Sequence, residues 1–229
     1  MPLIELNDLT RIYPVGNRTV TALAGLTLTI AAGEFTVLAG PSGSGKTTAL
    51  NLIGALDAPT RGSVTIAGRN LGGESPKALA EFRLHQVGFI FQSYNLIPVL
   101  TAAENAEFTL MLQGVPKRER RRKVSALFAE LGIAGLEERR PGDLSGGQQQ
   151  RVAVARAIIS QPAVVLADEP TANLDSHTSE ELLRLMRNLN TEHGTTFIFS
   201  SHDPQVIALA RRVVRLRDGQ LESDSVGAR

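Results

Sequence analysis

The segment Gly40–Thr47 constrains the fold of this chain more than any other feature. It reads GPSGSGKT and fits the pattern G-x-x-x-x-G-K-[ST]. An apolar run at 34–39 precedes it, and a helical pattern follows it. The glycines at 40, 43 and 45 allow backbone torsions that other residues avoid, so successive N–H groups can point at one anion. The sequence therefore predicts a strand, a phosphate-binding loop and a helix, in that order.

This loop has an expected contact for each part of a bound triphosphate. The positive end of the following helix favours an anion. Lys46 would place its charge against the β- and γ-phosphates, Thr47 would ligate Mg²⁺, and Thr48 would donate on the α-phosphate side. The loop residues predicted to bind the nucleotide are Gly40, Pro41, Ser42, Gly43, Ser44, Gly45, Lys46, Thr47 and Thr48.

Strand and helix patterns alternate along most of the chain. Apolar runs at 163–167 and 195–199 predict buried strands, and 178–190 predicts an amphipathic helix between them. Strands separated by helices favour right-handed crossovers and a mainly parallel sheet. Residues 93–140 are mostly helical in pattern. The helix after the phosphate loop is expected to turn three residues inward: Leu50, Ile53 and Leu56.

Two acidic residues, Asp168 and Glu169, follow the apolar run 163–167. Carboxylates at the C-terminal end of a parallel strand lie at the ligand-binding edge of the sheet. Asp168 can hold Mg²⁺ through its water shell. Glu169 would point the other way, since strand side chains alternate, and could polarise a water for attack on the γ-phosphate. An N-cap pair before Pro170 is the alternative. Beside the phosphate loop, the two acids indicate a nucleoside triphosphatase.

A second glycine pair, in the run LSGGQQQR at 144–151, also leads into a helix. The same helix-terminus physics predicts a second anion site there. Ser145 can donate to a phosphate oxygen, and the glycines let the backbone approach closely. Because Lys46 already holds the γ-phosphate, the second site is useful where it caps a nucleotide bound by another copy. The residues assigned to this cap are Ser145, Gly146, Gly147 and Gln148.

With these motifs the chain resembles the ATP-binding subunit of ABC transporters over essentially its whole length. LSGGQQQR is similar to the signature of that family. The resemblance implies that Tyr13 stacks on adenine, that Gln92 contacts Mg²⁺ or the attacking water, and that His202 contacts the γ-phosphate. Asn173–Asp175 resembles the segment that crosses to the opposite subunit. The alternatives are a core or surface position for Tyr13 and a structural role for His202.

The resemblance implies an α/β fold: a P-loop NTPase with a RecA-like, mainly parallel sheet, N-terminal antiparallel strands and an inserted helical subdomain. The single domain, 1–229, would comprise a core at 1–92 and 161–229 and a helical subdomain at 93–160. The catalytic residues would be Glu169, His202 and Gln92. The Mg²⁺ contacts would be Thr47, Gln92 and Asp168. The implied cofactors are ATP and Mg²⁺.

A narrower resemblance points to the lipoprotein-releasing and macrolide-export subfamily. It rests on YPVG at 13–16, FQSYNLIP at 91–98 and HDP at 202–204, whereas Ala172 stands where that group has glycine. The resemblance to the ABC family as a whole implies a head-to-tail dimer around two ATP molecules and a transmembrane permease whose coupling helix docks near Gln92–Leu96. The apolar residues expected to be exposed there are Leu96, Ile97 and Val99. Burial in the helical lobe is the alternative for them.

Composition limits the partners of the chain. Its 24 basic and 23 acidic side chains leave a formal charge of +1, which argues against a nucleic-acid binder. The absence of cysteine excludes disulfides and thiolate metal sites. The basic run 117–123 is either a solvated helix face or a patch for acidic lipid headgroups or an acidic partner.

No apolar run approaches the roughly 20 residues of a membrane span, and the N-terminus lacks a secretory signal. The chain is therefore expected at the cytoplasmic face of the inner or plasma membrane, as a peripheral subunit separate from its permease. Two other function classes stay open. One is a soluble ABC ATPase that acts on nucleic acid or ribosomes, and the other is a small-molecule kinase with the same phosphate loop.

Overall fold

A computed structural model describes residues 2–226 as two β-sheets with helices around them. The strands are β1 Ile4–Val15, β2 Arg18–Ile30, β3 Phe35–Ala39, β4 Arg61–Ile66, β5 Arg69–Asn70, β6 Val87–Ile90, β7 Val164–Asp168, β8 Thr196–Ser201, β9 Arg212–Arg217 and β10 Gln220–Val226. The helices are α1 Lys46–Ile53, α2 Pro76–Gln86, α3 Ala102–Leu112, α4 Lys117–Glu130, α5 Gly146–Ile158, α6 Ser176–His193 and α7 Pro204–Leu209, with a 3₁₀ turn at Pro141–Asp143.

The larger sheet has six strands in the order β10-β9-β3-β8-β7-β6. All of its pairs are parallel except the antiparallel pair of β10 with β9. The smaller sheet, β2-β1-β4-β5, is antiparallel throughout. The predicted α/β class, with a mainly parallel sheet and antiparallel N-terminal strands, is confirmed.

The central strands are buried on both faces, and this explains their continuous apolar runs. Phe197 and Phe199 of β8 belong to one apolar cluster, whereas Ile198 belongs to the cluster on the other face. Phe35 of β3 packs its ring 4.6 Å from that of Phe199. The first cluster extends into α3, α4, α5 and α6, and the second contains α1 and the smaller sheet. The larger sheet therefore separates two layers of core.

The helices α3, α4 and α5 follow β6 and precede β7, in the stretch where the sequence predicts a helical subdomain at 93–160. Their apolar side chains share one cluster with the face of the larger sheet. The division into core and subdomain stays a prediction, and residues 1 and 227–229 of the expected 1–229 unit lie outside the described residues. Within residues 2–226, none of the helices has the length and apolar character needed to cross a bilayer.

Two local expectations are changed by the structure. Leu50 and Ile53 are buried as predicted, but Leu56 is 48% exposed. The prediction for Leu56 is wrong because α1 ends at Ile53, and helical spacing has no meaning beyond the end of the helix. In the basic run, the guanidinium groups of Arg120 and Arg121 approach the buried Glu107 to 3.5 and 3.8 Å. That run is therefore not a uniformly solvated face.

Gly88 of β6 lies directly against the backbone of α5. A Cβ at this position would be 2.2 Å from the carbonyl oxygen of Ala157. We expect Gly88→Ala to lower the free energy of unfolding by about 1–3 kcal/mol, because packed backbone must shift to admit the methyl group. Gly142→Ala is the matched control, since a Cβ there would meet nothing within 4 Å. Urea denaturation measures both variants, and equal stability would contradict the close packing.

Candidate functional site

The loop between β3 and α1 closes around its own lysine. Lys46 Nζ donates to the carbonyl oxygens of Gly40 at 2.8 Å and Pro41 at 2.9 Å. The Lys46 side chain is buried. Gly43 and Gly45 have φ of +80° and +100°, which is the left-handed backbone that the sequence predicts for this loop. The ammonium group therefore lies inside the curve of the loop and holds its first residues.

Two loop glycines are also needed because other strands approach them closely. A Cβ on Gly40 would lie 2.2 Å from the Leu216 carbonyl oxygen, and one on Gly45 would lie 2.5 Å from that of Ala22. The N–H of Gly219 donates to the Ser44 carbonyl at 3.2 Å. The loop is thus fixed from behind by β2 and by the β9–β10 turn. The sequence pattern showed the torsional need for these glycines but not these contacts.

Parallel register brings an acidic residue to this loop. Asp168 at the end of β7 lies opposite Ser200 of β8, and β8 pairs with β3, which leads into the loop. Thr47 Oγ1 donates to Asp168 Oδ1 at 3.0 Å. The Ser200 hydroxyl donates to the same carboxylate oxygen. The structure therefore joins two of the three residues expected to contact Mg²⁺ and adds Ser200, which only strand pairing could have revealed.

Glu169 lies beyond the end of β7. The expectation that it points away from Asp168 because strand side chains alternate therefore does not apply to this residue. β7 ends at Asp168, and Glu169 has a φ of +45°. Its Oε1 lies 2.8 Å from His202 Nδ1, and Ser201 Oγ donates to its Oε2 at 3.3 Å. Left-handed backbone at a non-glycine residue is unusual and occurs often at functional sites. The turn of the backbone, rather than the pleat, directs this carboxylate to the end of β8.

His202 is 66% exposed in this arrangement. The contact of its Nδ1 with Glu169 orients the ring and leaves Nε2 without a protein partner among residues 2–226. The structure thus places two of the expected catalytic side chains, Glu169 and His202, in direct contact.

Gln92, the third expected catalytic residue, follows β6, and its side chain is exposed. Asn173 Nδ2 donates to the Gln92 carbonyl at 2.9 Å, and Tyr94 Oη donates to the Asn173 carbonyl at 3.4 Å. The segment after β6 is therefore tied to the segment after β7. The family resemblance implies a nucleotide contact for Gln92 and a crossing to the opposite subunit for Asn173, and it predicts no contact between the two residues.

The helix α5 begins with a complete capping box. Ser145 Oγ accepts from the Gln148 N–H at 3.3 Å, and Gln148 Oε1 accepts from the Ser145 N–H at 2.9 Å. A Cβ on Gly146 would lie 2.9 Å from Tyr94 Oη, and one on Gly147 would lie 2.6 Å from Thr178 Cγ2. From the sequence alone, these glycines are expected to allow the close approach of a phosphate. Within one copy, they admit Tyr94 and Thr178.

Tyr13 contacts two charged side chains. The Arg11 guanidinium lies 4.6 Å from the centre of the Tyr13 ring, and Tyr13 Oη donates to Asp57 Oδ2 at 2.7 Å. Burial raises the pKa of Asp57, but hydrogen bonds, that from Tyr13 foremost, hold it below its usual value. Arg11 lies opposite Leu23 of β2, and Leu23 packs against Gly45 of the phosphate loop. Tyr13 is two residues further along β1 than Arg11, so it lies near this loop.

The exposed apolar patch expected after Gln92 is only partly present. Leu96 packs against the core, Ile97 is half-buried, and Val99 is 73% exposed. The expectation is therefore wrong for Leu96, since the chain turns it inward. A neighbouring groove of about 380 Å³ is lined by α2, β6, α3 and α5 and includes Phe91 and Asn95.

Sequence and structure comparisons show which known proteins this chain is similar to. The model of the ABC transporter family matches residues 23–172. A macrolide export ATP-binding/permease protein, MacB of Hyphomonas neptunium, is 49% identical over 98% of this chain and 35% of its own length. An "Uncharacterized ABC transporter ATP-binding protein" of Thermotoga maritima is 44% identical over 96% of this chain and 94% of its own. This chain spans about a third of the MacB relatives it matches.

A solved structure shows the same architecture. The post-hydrolysis dimer of the ATP-binding cassette MJ0796, bound to ADP and Pi, matches with a TM-score of 0.90 at 39% identity. The match covers 97% of this chain and 98% of that one.

The contact between Gly147 and Thr178 allows a paired substitution. We expect Gly147→Ala to lower the free energy of unfolding by about 1–3 kcal/mol, because the new methyl group would meet Thr178 Cγ2. Thr178→Ser should recover most of that loss. Serine lacks this methyl group but keeps the hydroxyl that donates to Asp175 at 2.6 Å. A double-mutant cycle in urea measures the coupling, and strictly additive losses would disprove the contact.

Proposed function

This chain belongs to the ABC transporter family as one of its ATP-binding cassettes, and we propose that it hydrolyses ATP with Mg²⁺ to drive a transmembrane permease. The observation that carries the proposal is the hydrogen bond between Thr47 and Asp168 beside a loop closed around Lys46. It joins a phosphate-binding loop to the acidic end of β7. A glycine-rich turn without a ligand would need neither the buried ammonium nor the facing carboxylate.

The loop can receive a triphosphate without losing its own contacts. Lys46 has three donor hydrogens, and two of its hydrogen bonds go to Gly40 and Pro41. The third can meet the β- and γ-phosphates. Backbone N–H groups of the loop and of the first turn of α1 add donors around the same anion. Tyr13 would stack on adenine, held in orientation by Asp57 and Arg11.

The donors beside the loop fit Mg²⁺, which prefers oxygen ligands. The Thr47 hydroxyl and the Asp168 carboxylate already lie together, and the Gln92 side chain is exposed and able to approach. When bound, Mg²⁺ would neutralise charge between the phosphates. Asp168 also accepts from Ser200, so its carboxylate is oriented from the sheet side.

Glu169 and His202 would act at the γ-phosphate. Glu169 would accept a proton from the attacking water, as a carboxylate can when it lies within hydrogen-bond reach. His202 would present Nε2 to a γ-phosphate oxygen, since its Nδ1 already contacts Glu169.

The second side of the nucleotide would come from another copy. We place Ser145, Gly146, Gly147 and Gln148 of that copy against the phosphates, in a head-to-tail dimer. The dimeric state of the MJ0796 cassette supports this arrangement. The description of the MacB relatives as macrolide export ATP-binding/permease proteins supports a permease partner and macrolide export as the transport class. Lipoprotein release is the other class that the sequence resemblance implies. The description of these relatives favours this function over a nucleic-acid-directed ATPase or a small-molecule kinase. The chain would then work at the cytoplasmic face of the membrane.

Glu169→Gln tests the proposed base. It keeps the size of the side chain but removes its ability to accept a proton, so ATP turnover should fall at least about a hundredfold. The ATP-bound dimer should then persist in the presence of Mg²⁺. Glu180→Gln is the matched control, because Glu180 is exposed on α6 and its one ion-pair partner among residues 2–226 is Arg184. Near-normal turnover of Glu169→Gln would reject Glu169 as the base.

Mixed dimers test the shared site. Lys46→Ala damages the phosphate loop and Ser145→Arg damages the capping segment, so each variant alone has two defective sites. In a mixed dimer one site carries both lesions, and the other is intact. We therefore expect mixing to restore one trapped nucleotide per dimer.

The readout is ATP retained by the mixed dimers in a Glu169→Gln background, in which the closed state survives. Each variant alone, in the same background, serves as the control. Mixed dimers that trap no more ATP than either variant, although mixed pairing is verified, would exclude a site completed by the second copy.

A further inference from the structure

The start of α4 carries an excess of positive charge. Six of the seven side chains at 117–123 are basic. The three at 120, 121 and 123 lie 3.0 to 3.8 Å from carboxylates of other residues. The other three are exposed and form no ion pair with any residue that the structure describes: Lys117, Arg118 and Arg122. The described chain therefore leaves three cations at the start of α4 without a neutralising partner.

These cations lie where helix electrostatics disfavours them. Positive charge at the start of a helix opposes the helix dipole, and Arg118 and Arg122, four residues apart, repel one another. The helix begins after Pro116 without a side-chain cap. Glu119 is the one acidic residue of its first turn, and it is paired with Lys123. An external anion would relieve this repulsion, so the start of α4 attracts negative charge.

Two large apolar side chains are exposed at the adjoining end of α3. Met111 is 44% exposed and Leu112 is 55% exposed. The turn that follows is fixed to both helices, because the Val115 N–H donates to the Leu110 carbonyl at 3.0 Å and Arg120 Nη1 donates to the Val115 carbonyl at 2.7 Å. The exposed apolar pair is therefore held beside the start of α4. The two apolar and three unpaired basic side chains together are called the α3–α4 corner: Met111, Leu112, Lys117, Arg118 and Arg122.

An anionic membrane surface matches both parts of the α3–α4 corner. Clustered Lys and Arg side chains are attracted to acidic phospholipid headgroups, and aliphatic side chains beside them can enter the boundary with the acyl chains. A nucleic acid would match the charges but would offer no apolar layer to Met111 and Leu112. A protein partner needs close shape complementarity, whereas a fluid headgroup layer adapts to an exposed turn. The combination therefore favours lipid.

We propose that the α3–α4 corner binds an anionic phospholipid surface directly. This contact goes beyond the proposed function, since it requires neither a permease nor a nucleotide. The three basic side chains face the headgroup phosphates, and Met111 and Leu112 lie at the boundary with the acyl chains. Because few side chains take part, and each cation contributes about fivefold to the affinity, the contact is reversible.

The first test measures binding of the full chain to vesicles by sedimentation. One set of vesicles is phosphatidylcholine alone, and the other contains phosphatidylcholine and phosphatidylglycerol in a ratio of about two to one. We expect at least about tenfold tighter binding to the anionic set. The preference should disappear at about 0.5 M salt, because salt screens exposed charges. Equal binding to both sets at low salt would overturn the proposal.

The double variant Arg118→Gln/Arg122→Gln tests the cations. It should weaken binding to the anionic vesicles at least about tenfold, because two attractive charges are lost. Arg184→Gln/Arg187→Gln is the matched control, since it removes the same charge from exposed positions of α6. The first double variant should unfold at no lower urea concentration than the unmodified chain, because it removes a like-charge pair. Vesicle binding that survives in it undiminished would exclude the corner as the contact.

A second readout follows the apolar side chains and does not depend on the arginine variants. The chain has no Trp, so Leu112→Trp introduces a single tryptophan. Its emission should shift to the blue on anionic vesicles and should be quenched by brominated acyl chains, since the side chain enters the boundary layer. Leu221→Trp, at an exposed position of β10, is the control and should show neither change. An unchanged spectrum from position 112 would contradict the proposal.

Two further arms separate a membrane from other polyanions. Poly-glutamate represents an acidic protein, and a single-stranded oligonucleotide represents a nucleic acid. Either one, if it bound as tightly as the anionic vesicles and with the same loss in Arg118→Gln/Arg122→Gln, would replace lipid as the partner and overturn the proposal. ATP hydrolysis by the unmodified chain without vesicles is measured in parallel. Its absence would count against the proposed function, whereas hydrolysis without vesicle binding would count against the lipid contact alone.

Discussion

The parallel pairing of β3, β8 and β7 is the constraint on which the other features depend. Each of these strands is buried on both faces, so its register is fixed by packing above and below the sheet. Parallel strands end at the same edge, and there the loop before α1, Asp168 and the end of β8 meet. A slip of one residue in β7 would exchange the faces of its side chains and separate Asp168 from Thr47. The geometry of the site is therefore a consequence of core packing.

Close backbone approach is the second constraint. Gly40 and Gly45 lie against β9 and β2, and Gly146 and Gly147 lie against side chains of other segments. None of these positions leaves room for a Cβ. Motifs that are far apart in the sequence thus act as one body, and the glycines are the points where they touch.

The sequence was sufficient for the α/β class and for the order of strand, phosphate loop and helix, because these depend on local spacing and on apolar runs. It could not give Ser200 or Asp57, since both reach their partners only after distant strands pair. It misjudged Leu56, where a helix ends, and Leu96, where the chain turns inward. It also assigned Glu169 to strand alternation, although the backbone there is left-handed. Failures of this kind arise where tertiary contacts override local periodicity.

The distribution of donors gives a physical reason for a site shared between two copies. On the loop side, Lys46 has already used two of its hydrogen bonds within the loop, and the start of α1 faces the same anion. At the start of α5, Ser145 and Gln148 satisfy one another through the capping box. The first-turn N–H groups left for an outside acceptor are those of Gly146 and Gly147, which carry no side chain to cover them. An anion that accepted hydrogen bonds from both sets of N–H groups would join the start of α1 in one copy to the start of α5 in the other. Under the proposed arrangement, the γ-phosphate supplies that link, so the release of inorganic phosphate after hydrolysis would take away the acceptor that holds the two copies together.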